Sequence, residues 1–567
     1  MADTQANSFP RGTQNAANEV LDLNATNNDI QAKSQAEEKI LTGLPLVLVL
    51  IALVSAMFLV ALDRTIIATA TPKISDQFHA IEDISWYASA YLVTSSATQL
   101  LWGRIYTFYS TKAIFLSAVV IFEVGSAVCG AAPSSTAFII GRAIAGIGSA
   151  GIFNGTTVII TKVMPLHKRP IFVGLMGSTF GISSVVAPLM GGAFTDRVTW
   201  RWCFYIKYSP HWRGCVGHFD HPPSRTFLKD STSLRRQIIR LDPLGTFLFL
   251  PAVVCFLLAL QWGGAVYSWN NGRIIALFVV AGVLAIAFGI VQVWRQEDAT
   301  LPPRIVKDRN VALGAVMMFF SAGAMISMLY TLPLWFQGVK GTSAVQSGID
   351  NIPMVLAMVL FVIVSGGVIT NTGHYMPFAY LSGTLMAIGA GLLTTLRVDS
   401  GHPEWIGYQA LFGFGLGLGM QVPNIATQTV LANVDVPIGI AVIFLFQSLG
   451  GAIWVAVSQS LYTNYLTSTL PSISGIDTSS ILRAGATGIS KIVPADKLRP
   501  VLVVYNEALR RSFILPVALS CAIILPSLGM EWRNVKKESE RREKEDIGRR
   551  KMSKEDDRRG SGVEKDA

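Results

Sequence analysis

This chain has little charge. Only 14% of its 567 residues are Asp, Glu, Lys or Arg, against 51% hydrophobic, and the mean hydropathy is +0.46. A soluble domain cannot hide so much apolar surface, which excludes a cytosolic globular protein and leaves a chain that crosses a membrane many times. Cysteine is scarce as well: Cys129, Cys203, Cys215, Cys255 and Cys521 form no CxxC or Cys/His pattern. Neither a disulfide framework nor a metal site is expected from them. A phosphate-binding loop is missing too, which argues against ATP-driven work. The first 43 residues are polar and rich in Asn, Ala and Gln. They read as a disordered cytosolic tail, not a cleavable signal, and the sequon Asn24-Ala25-Thr26 within it is expected to be unused.

What is present is apolar runs. Crossing a hydrocarbon core of ~30 Å takes about 20 apolar residues as helix. Thirteen segments qualify, centred near Ser55, Thr94, Val120, Gly148, Ser183, Val254, Gly282, Gly323, Leu360, Ile388, Gly417, Leu449 and Ala518. Their long, weakly charged windows favour helices over the alternating ten-residue strands of a barrel. The expected class is an all-α polytopic membrane protein with a transporter domain over 44–531. A ~50-residue external loop is expected over 462–511, and a charged cytosolic tail, helical or disordered, over 532–567.

The net charge of +10 belongs to loops and tail, where basic residues mark the cytosolic side, so nucleic acid is not an expected partner. Arg104 and Lys112 follow the second segment; Lys162, Lys168 and Arg169 follow the fourth. Further clusters lie at Arg225–Arg240, at Arg295–Arg309 and from Arg533 onward. Thirteen spans would put these later clusters on the wrong face, whereas a fourteenth between Ala193 and Arg225 puts all of them, with both termini, in the cytosol. Residues 207–221 do not supply it: Lys207, His211, Arg213, His218, Asp220 and His221 are too polar. A charge at the bilayer centre costs about 2.5–3.5 kcal/mol. Two readings stay open: a divergent loop, or a shifted reading frame. Back-translated from the second base of each codon, Pro210 to Cys215 permits an apolar sequence, which fits a frameshift or misplaced intron boundary.

Glycine and proline carry the next signal. The segment FVGLMGSTFGISSVVAPLMGGAF at 172–194 places Gly181, Pro188, Gly191 and Gly192 inside one span. In a soluble helix each Gly costs roughly 1 kcal/mol and Pro about 3; in a membrane they permit close helix approach and a kink. With Ala187, they resemble the antiporter motif of the major facilitator superfamily. Leu62-Asp63-Arg64-Thr65-Ile66-Ile67 resembles a first-helix motif of its fourteen-span drug:proton antiporter branch. Gly141-Arg142-Ala143-Ile144-Ala145-Gly146 resembles the motif whose arginine takes part in proton transfer. The runs LDRTIIATATP and FGFGLGLGMQVPNIATQTVL are similar to those of fungal efflux pumps for toxins and other secondary metabolites.

The resemblance implies a major facilitator fold, nominally of fourteen helices with the sixth disrupted, and no enzyme activity. It implies proton-coupled export of a small hydrophobic compound across the plasma membrane by a monomer, with no cofactor beyond the proton gradient. A siderophore or basic amino acid carrier, a vacuolar location, or a non-transporting product are the alternatives. Asp63 and Arg142 are the implied proton-coupling residues, with Glu123 a weaker candidate. The gating loop from Gly103 to Lys112 departs from the pattern, with Thr107 for the usual aspartate and Ser110 for the second glycine. Gln421, Asn424 and Gln428 recur at i, i+3 and i+7, so they share a helical face and are candidates to line a substrate cavity. Gln99, Trp335, Gln337 and Gln447 could join them. Packing or interhelical hydrogen bonding is the plain alternative for each.

Overall fold

The computed structural model describes residues 42–80, 83–206, 241–264, 267–473, 489, 492–545 and 547–548. Nearly all of the expected tail 1–43 and the atypical stretch 207–221 lie outside them. Thirteen long helices fill the described residues, and each expected centre falls inside one. They are α1 (Leu44–Phe78), α2 (Ile84–Phe108), α3 (Thr111–Ala131), α4 (Ser135–Val163) and α5 (Arg169–Arg197). After the short α6 (Trp202–Tyr205) come α7 (Pro243–Trp262), α8 (Gly272–Arg295), α9 (Arg309–Gly338), α10 (Ile352–Thr372) and α11 (Met376–Leu393). The last group is α12 (His402–Gly419), the short α13 (Val422–Val430), α14 (Val436–Thr469) and α15 (Ala495–Gly529).

Eleven of these helices are long and apolar enough to cross a membrane by composition alone; α2 and α12 are not among them. Both have protein for neighbours. α2 lies against α4 and α14, and α12 against α10 and α11. Their Tyr, Ser, Gln and Gly content suits an interior position, where small residues bring backbones together. α8 is the opposite case. Val279, Val283, Ile286, Ile290 and Val293 are all more than half exposed, a stripe fit for lipid.

The helices form two halves, α1–α5 and α9–α15, with the α7–α8 pair against α2 and α14. One end of the molecule carries Arg104, Lys112, Lys162, Lys168, Arg169, Arg304 and Arg533, and is called the basic face below. Arg201, just past α5, donates to the carbonyls of Gly130 and Ala132 (2.7 and 2.9 Å), at the end away from that face. Asp242, just before α7, accepts from Gln292 and Thr300 beside Glu297, whose carbonyl Arg104 holds at 2.9 Å. Arg201 and Asp242 therefore lie at opposite ends of the molecule.

The expected external loop 462–511 is shorter than the sequence suggested. α14 runs on to Thr469 and α15 begins at Ala495, leaving 470–494 as the connection. The polar turns at these helix ends pack on protein: Leu466, Val501 and Leu509 are fully buried. In the tail, residues 535–545 form a helix on the basic face, where Arg542 donates to the carbonyls of Thr429 and Leu431 (2.6 and 3.1 Å).

Candidate functional site

Two helices bring the strongest ionisable candidates together. Arg142 Nη1 donates to Asp63 Oδ2 at 2.6 Å, and its Nε donates to the Tyr87 carbonyl at 2.8 Å. Both side chains are essentially inaccessible, at 1% and 0%. The Arg142 guanidinium also lies 4.5 Å from the Tyr91 ring centroid. A buried pair tolerates desolvation only with such extra contacts. Glycines let it form: a Cβ on Gly146 would collide with the Tyr91 carbonyl at 2.4 Å, and one on Gly141 with the Cys129 backbone at 2.8 Å. Arg142 lies seven residues into α4 from the end away from the basic face, a depth of about 10 Å at helical rise.

The glycine-rich α5 divides its small residues between two neighbours. Gly174, Gly177 and Gly181 recur at helical spacing and face the second half, with would-be Cβ atoms 2.6 Å from the Val362 carbonyl, 2.5 Å from Gln421 Nε2 and 2.2 Å from Val359. Gly191 turns the other way, towards Thr69 and Ile66 of α1. Pro188 lies inside the helix between them. Gly192 makes no comparable approach; among the described residues nothing lies within 4 Å of its would-be Cβ.

Between the halves lies a cavity whose lining draws on α1, α4 and α5 on one side and α9, α14 and the α12–α13 break on the other. Phe153, Phe180 and Phe444 form its aromatic wall, with Phe153 and Phe180 stacked at 5.4 Å. Met57, Met176, Met318 and Met420 add adaptable apolar surface. The polar part consists of Thr156, Thr157, Gln421, Asn424 and Gln447, and none of the described residues that line it is charged. Such a lining suits a flat apolar molecule with a few oxygen atoms.

The Major Facilitator Superfamily model matches residues 53–207. The rubrofusarin-specific efflux pump aurT of Gibberella zeae is 53% identical over 500 residues, covering 88% of this chain and 92% of that protein. The efflux pump aflT of Aspergillus parasiticus is 47% identical over 505 residues, covering 88% and 97%. The chain belongs to the major facilitator superfamily. Its fold agrees: the proton:xylose symporter XylE superposes with a TM-score of 0.53 at 12% identity, over 85% of this chain and 94% of that one. The protein is an efflux transporter of this superfamily.

The loop after α2 draws its ionic contacts from distant segments. A Cβ on Gly103 would stand 2.7 Å from Ala441 and 3.0 Å from the Pro437 carbonyl, so α2 and α14 are closely packed at the basic face. Thr107, in place of aspartate, only closes on its own helix, donating to the Gly103 carbonyl. Acids come from elsewhere. Arg304 forms a two-pronged pair with Asp435 at 2.5 and 2.7 Å and also reaches Glu297 at 2.8 Å. Paired acids on both sides, opposed by partial burial, raise the Arg304 pKa above its ordinary value.

The amide candidates separate. Gln421 and Asn424 both line the cavity and Asn424 Nδ2 donates to Gln421 Oε1 at 3.0 Å. Gln428 does not line it; it is buried, and neither its Oε1 nor its Nε2 finds a partner among the described residues. The three do not share one helix, because the chain breaks at Met420–Gln421 and restarts with Pro423 in the first turn of α13. Gln447 joins the lining; Gln99, Trp335 and Gln337 do not. Trp335 Nε1 donates to Asn506 at 2.7 Å, and Gln337 to Ser347 at 2.9 Å, both as packing. Glu123 is buried within α3. The aromatic and methionine wall escaped the sequence reading, since such residues recur in every span.

Proposed function

We propose that this transporter exports a neutral, largely apolar aromatic secondary metabolite across the plasma membrane as a monomer, in exchange for protons. The basic face lies in the cytosol. The observation that carries the reading is an uncharged aromatic, methionine and amide cavity between the halves, with the buried Asp63–Arg142 pair in the first half. A relative named as a rubrofusarin-specific efflux pump supports a secondary-metabolite cargo. The energy source is the proton gradient, with no further cofactor.

The halves would rock about the cavity. On the basic face they are in contact through Gly103 against α14 and through Gly366 against Pro170. Cargo release would follow opening on the other side, and protonation of Asp63 would loosen its hold on Arg142 and favour return. A basic amino acid or other cationic cargo is a poor fit, as the lining offers no carboxylate.

The test is expression in a pump-deficient yeast of the present sequence and of a version with the frame corrected across 207–221. Efflux of a neutral hydrophobic dye is then measured at external pH 5 and 7.5. Faster efflux at pH 5, abolished by a protonophore, is expected. Equal efflux at both pH values would sink proton exchange, and none from either version would sink export. Activity of the uncorrected form alone would show that the stretch is genuine.

A further inference from the structure

Arg64 is an intramembrane charge outside the proton pair. It follows Asp63 in α1, whose carboxylate is held by Arg142. It adds a positive charge to the interior of the first half, where the other carboxylate, Glu123, is buried within α3. Arg64 is half-buried and makes no hydrogen bond or ion pair with any described residue. Its surroundings are interior: the guanidinium is 6.0 Å from the Phe180 ring centroid on α5 and within electrostatic range of Tyr91 on α2, Arg142 on α4 and its neighbour Asp63. Arg64 stands beside the cavity rather than in its lining, but Phe180 is a wall of it, and Met57, seven residues before Arg64 on the same helical face, is another. A membrane-helix cation with no hydrogen bond among the described residues calls for an acceptor from solvent or ligand.

We propose that Arg64 is a cargo-binding and selecting residue. Its guanidinium donates to a carbonyl or phenolic oxygen of a neutral aromatic compound seated against Phe180 and Phe153, and its positive charge beside the cavity turns organic cations away. The proposal rests on the export reading for its cargo class but concerns binding alone. Five N–H donors in a planar fork match oxygen acceptors on a flat ring system. At the distances spanned by the cavity, a fixed positive charge in a medium of intermediate dielectric disfavours a second one by ~10-fold or more.

The experiment measures binding to the purified full chain in detergent, by quenching of tryptophan fluorescence, with two flat probes. One is 1,8-dihydroxyanthraquinone, neutral and rich in phenolic and carbonyl oxygen; the other is the cation rhodamine 6G. The wild type should bind the anthraquinone at least ~10-fold more tightly than rhodamine 6G. Arg64→Gln should weaken the first and strengthen the second, narrowing or inverting that ratio. Arg64→Lys should keep the exclusion of rhodamine 6G, and Phe180→Leu should weaken both probes with the ratio intact. Equal affinities of the wild type for the two probes would overturn the proposal, and this outcome depends on no variant folding. So would a ratio unmoved by Arg64→Gln in a protein whose thermal unfolding is unchanged. A chain that binds with the expected ratios yet exports neither probe from cells would refute the export reading and leave the assignment of Arg64 standing.

Discussion

Gly177 of α5 and Gln421 of the α12–α13 break meet so closely that a Cβ on the glycine would stand 2.5 Å from the amide nitrogen. The two halves thus touch through a residue without a side chain and one with a movable end. Gly174, one turn earlier, faces the Val362 carbonyl instead, at 2.6 Å. A backbone atom cannot swing aside, whereas a glutamine tip can. Gly177→Ala should therefore leave thermal stability within about 1 kcal/mol but displace Gln421 from the cavity and raise the KM for cargo. Gly174→Ala should destabilise by about 1–3 kcal/mol through forced separation of α5 and α10. Unfolding in detergent and concentration-dependent efflux by the same two variants check both halves of this contrast.

The Asp63–Arg142 pair allows a double-mutant test. Removing one partner of a buried pair leaves the other charge uncompensated, at about 3–5 kcal/mol. Asp63→Ala and Arg142→Ala should each be destabilised on that scale, and the double variant should be more stable than the sum of the two losses. Asp63→Asn keeps a hydrogen-bond acceptor for Arg142 but cannot titrate. It should fold and should lose the dependence of efflux on external pH. Chemical unfolding gives the cycle, and efflux at pH 5 and 7.5 gives the coupling.

At the basic face, Arg304 and Asp435 tie the segment before α9 to the start of α14 with two short hydrogen bonds. Arg304 is half exposed, so solvent screening limits the pair to about 0.5–1 kcal/mol despite its geometry. Arg304→Ala should therefore barely affect unfolding. Its effect should appear as a shift in the balance between states open to one face or the other, measured by thiol labelling of a cysteine placed at Thr156. Unchanged labelling in Arg304→Ala would show that the pair does not hold this face shut.

The spans were legible because lipid selects for apolar length, and that signal lies within each segment. Asp63 and Arg142 were singled out by resemblance to family motifs on two separate helices, and their pairing is what the fold adds. The cavity was not legible. Phe153, Phe180 and Phe444 come from three helices, and nothing local separates them from lipid-facing aromatics. Gln428 failed because a continuous helix was assumed across Pro423, although proline in a first turn is a start signal. The 462–511 stretch failed because falling hydropathy was read as the end of a helix, when Leu466 and Tyr505 show those turns packing on protein.

The helix at 535–545 offers a pH test on the basic face. Arg542 satisfies carbonyls at the end of α13, Lys536 donates to the Asn371 carbonyl at 2.9 Å, and Ser539 meets His167 at 3.3 Å. The tail thus bridges the loop before α5 and the ends of α10 and α13, which belong to different halves. Burial, with Lys168 and Lys536 nearby, lowers the His167 pKa, although Glu540 and Glu543 oppose the shift. A lowered histidine pKa means that the folded protein binds fewer protons at His167 than the unfolded chain. The fold around His167, the docked tail included, is then fully stabilised above the ordinary histidine value of about 6.5 and weakens as the pH falls below it. Hydrogen exchange over 535–545 should accelerate between pH 7.5 and 5.5 beyond the intrinsic pH trend of a free peptide, and His167→Gln should remove that excess. Arg542→Ala should loosen the tail at both pH values, by about 1–2 kcal/mol for its charge-assisted bonds. Protection that is insensitive to His167→Gln would assign the docking to Arg542 and Lys536 alone.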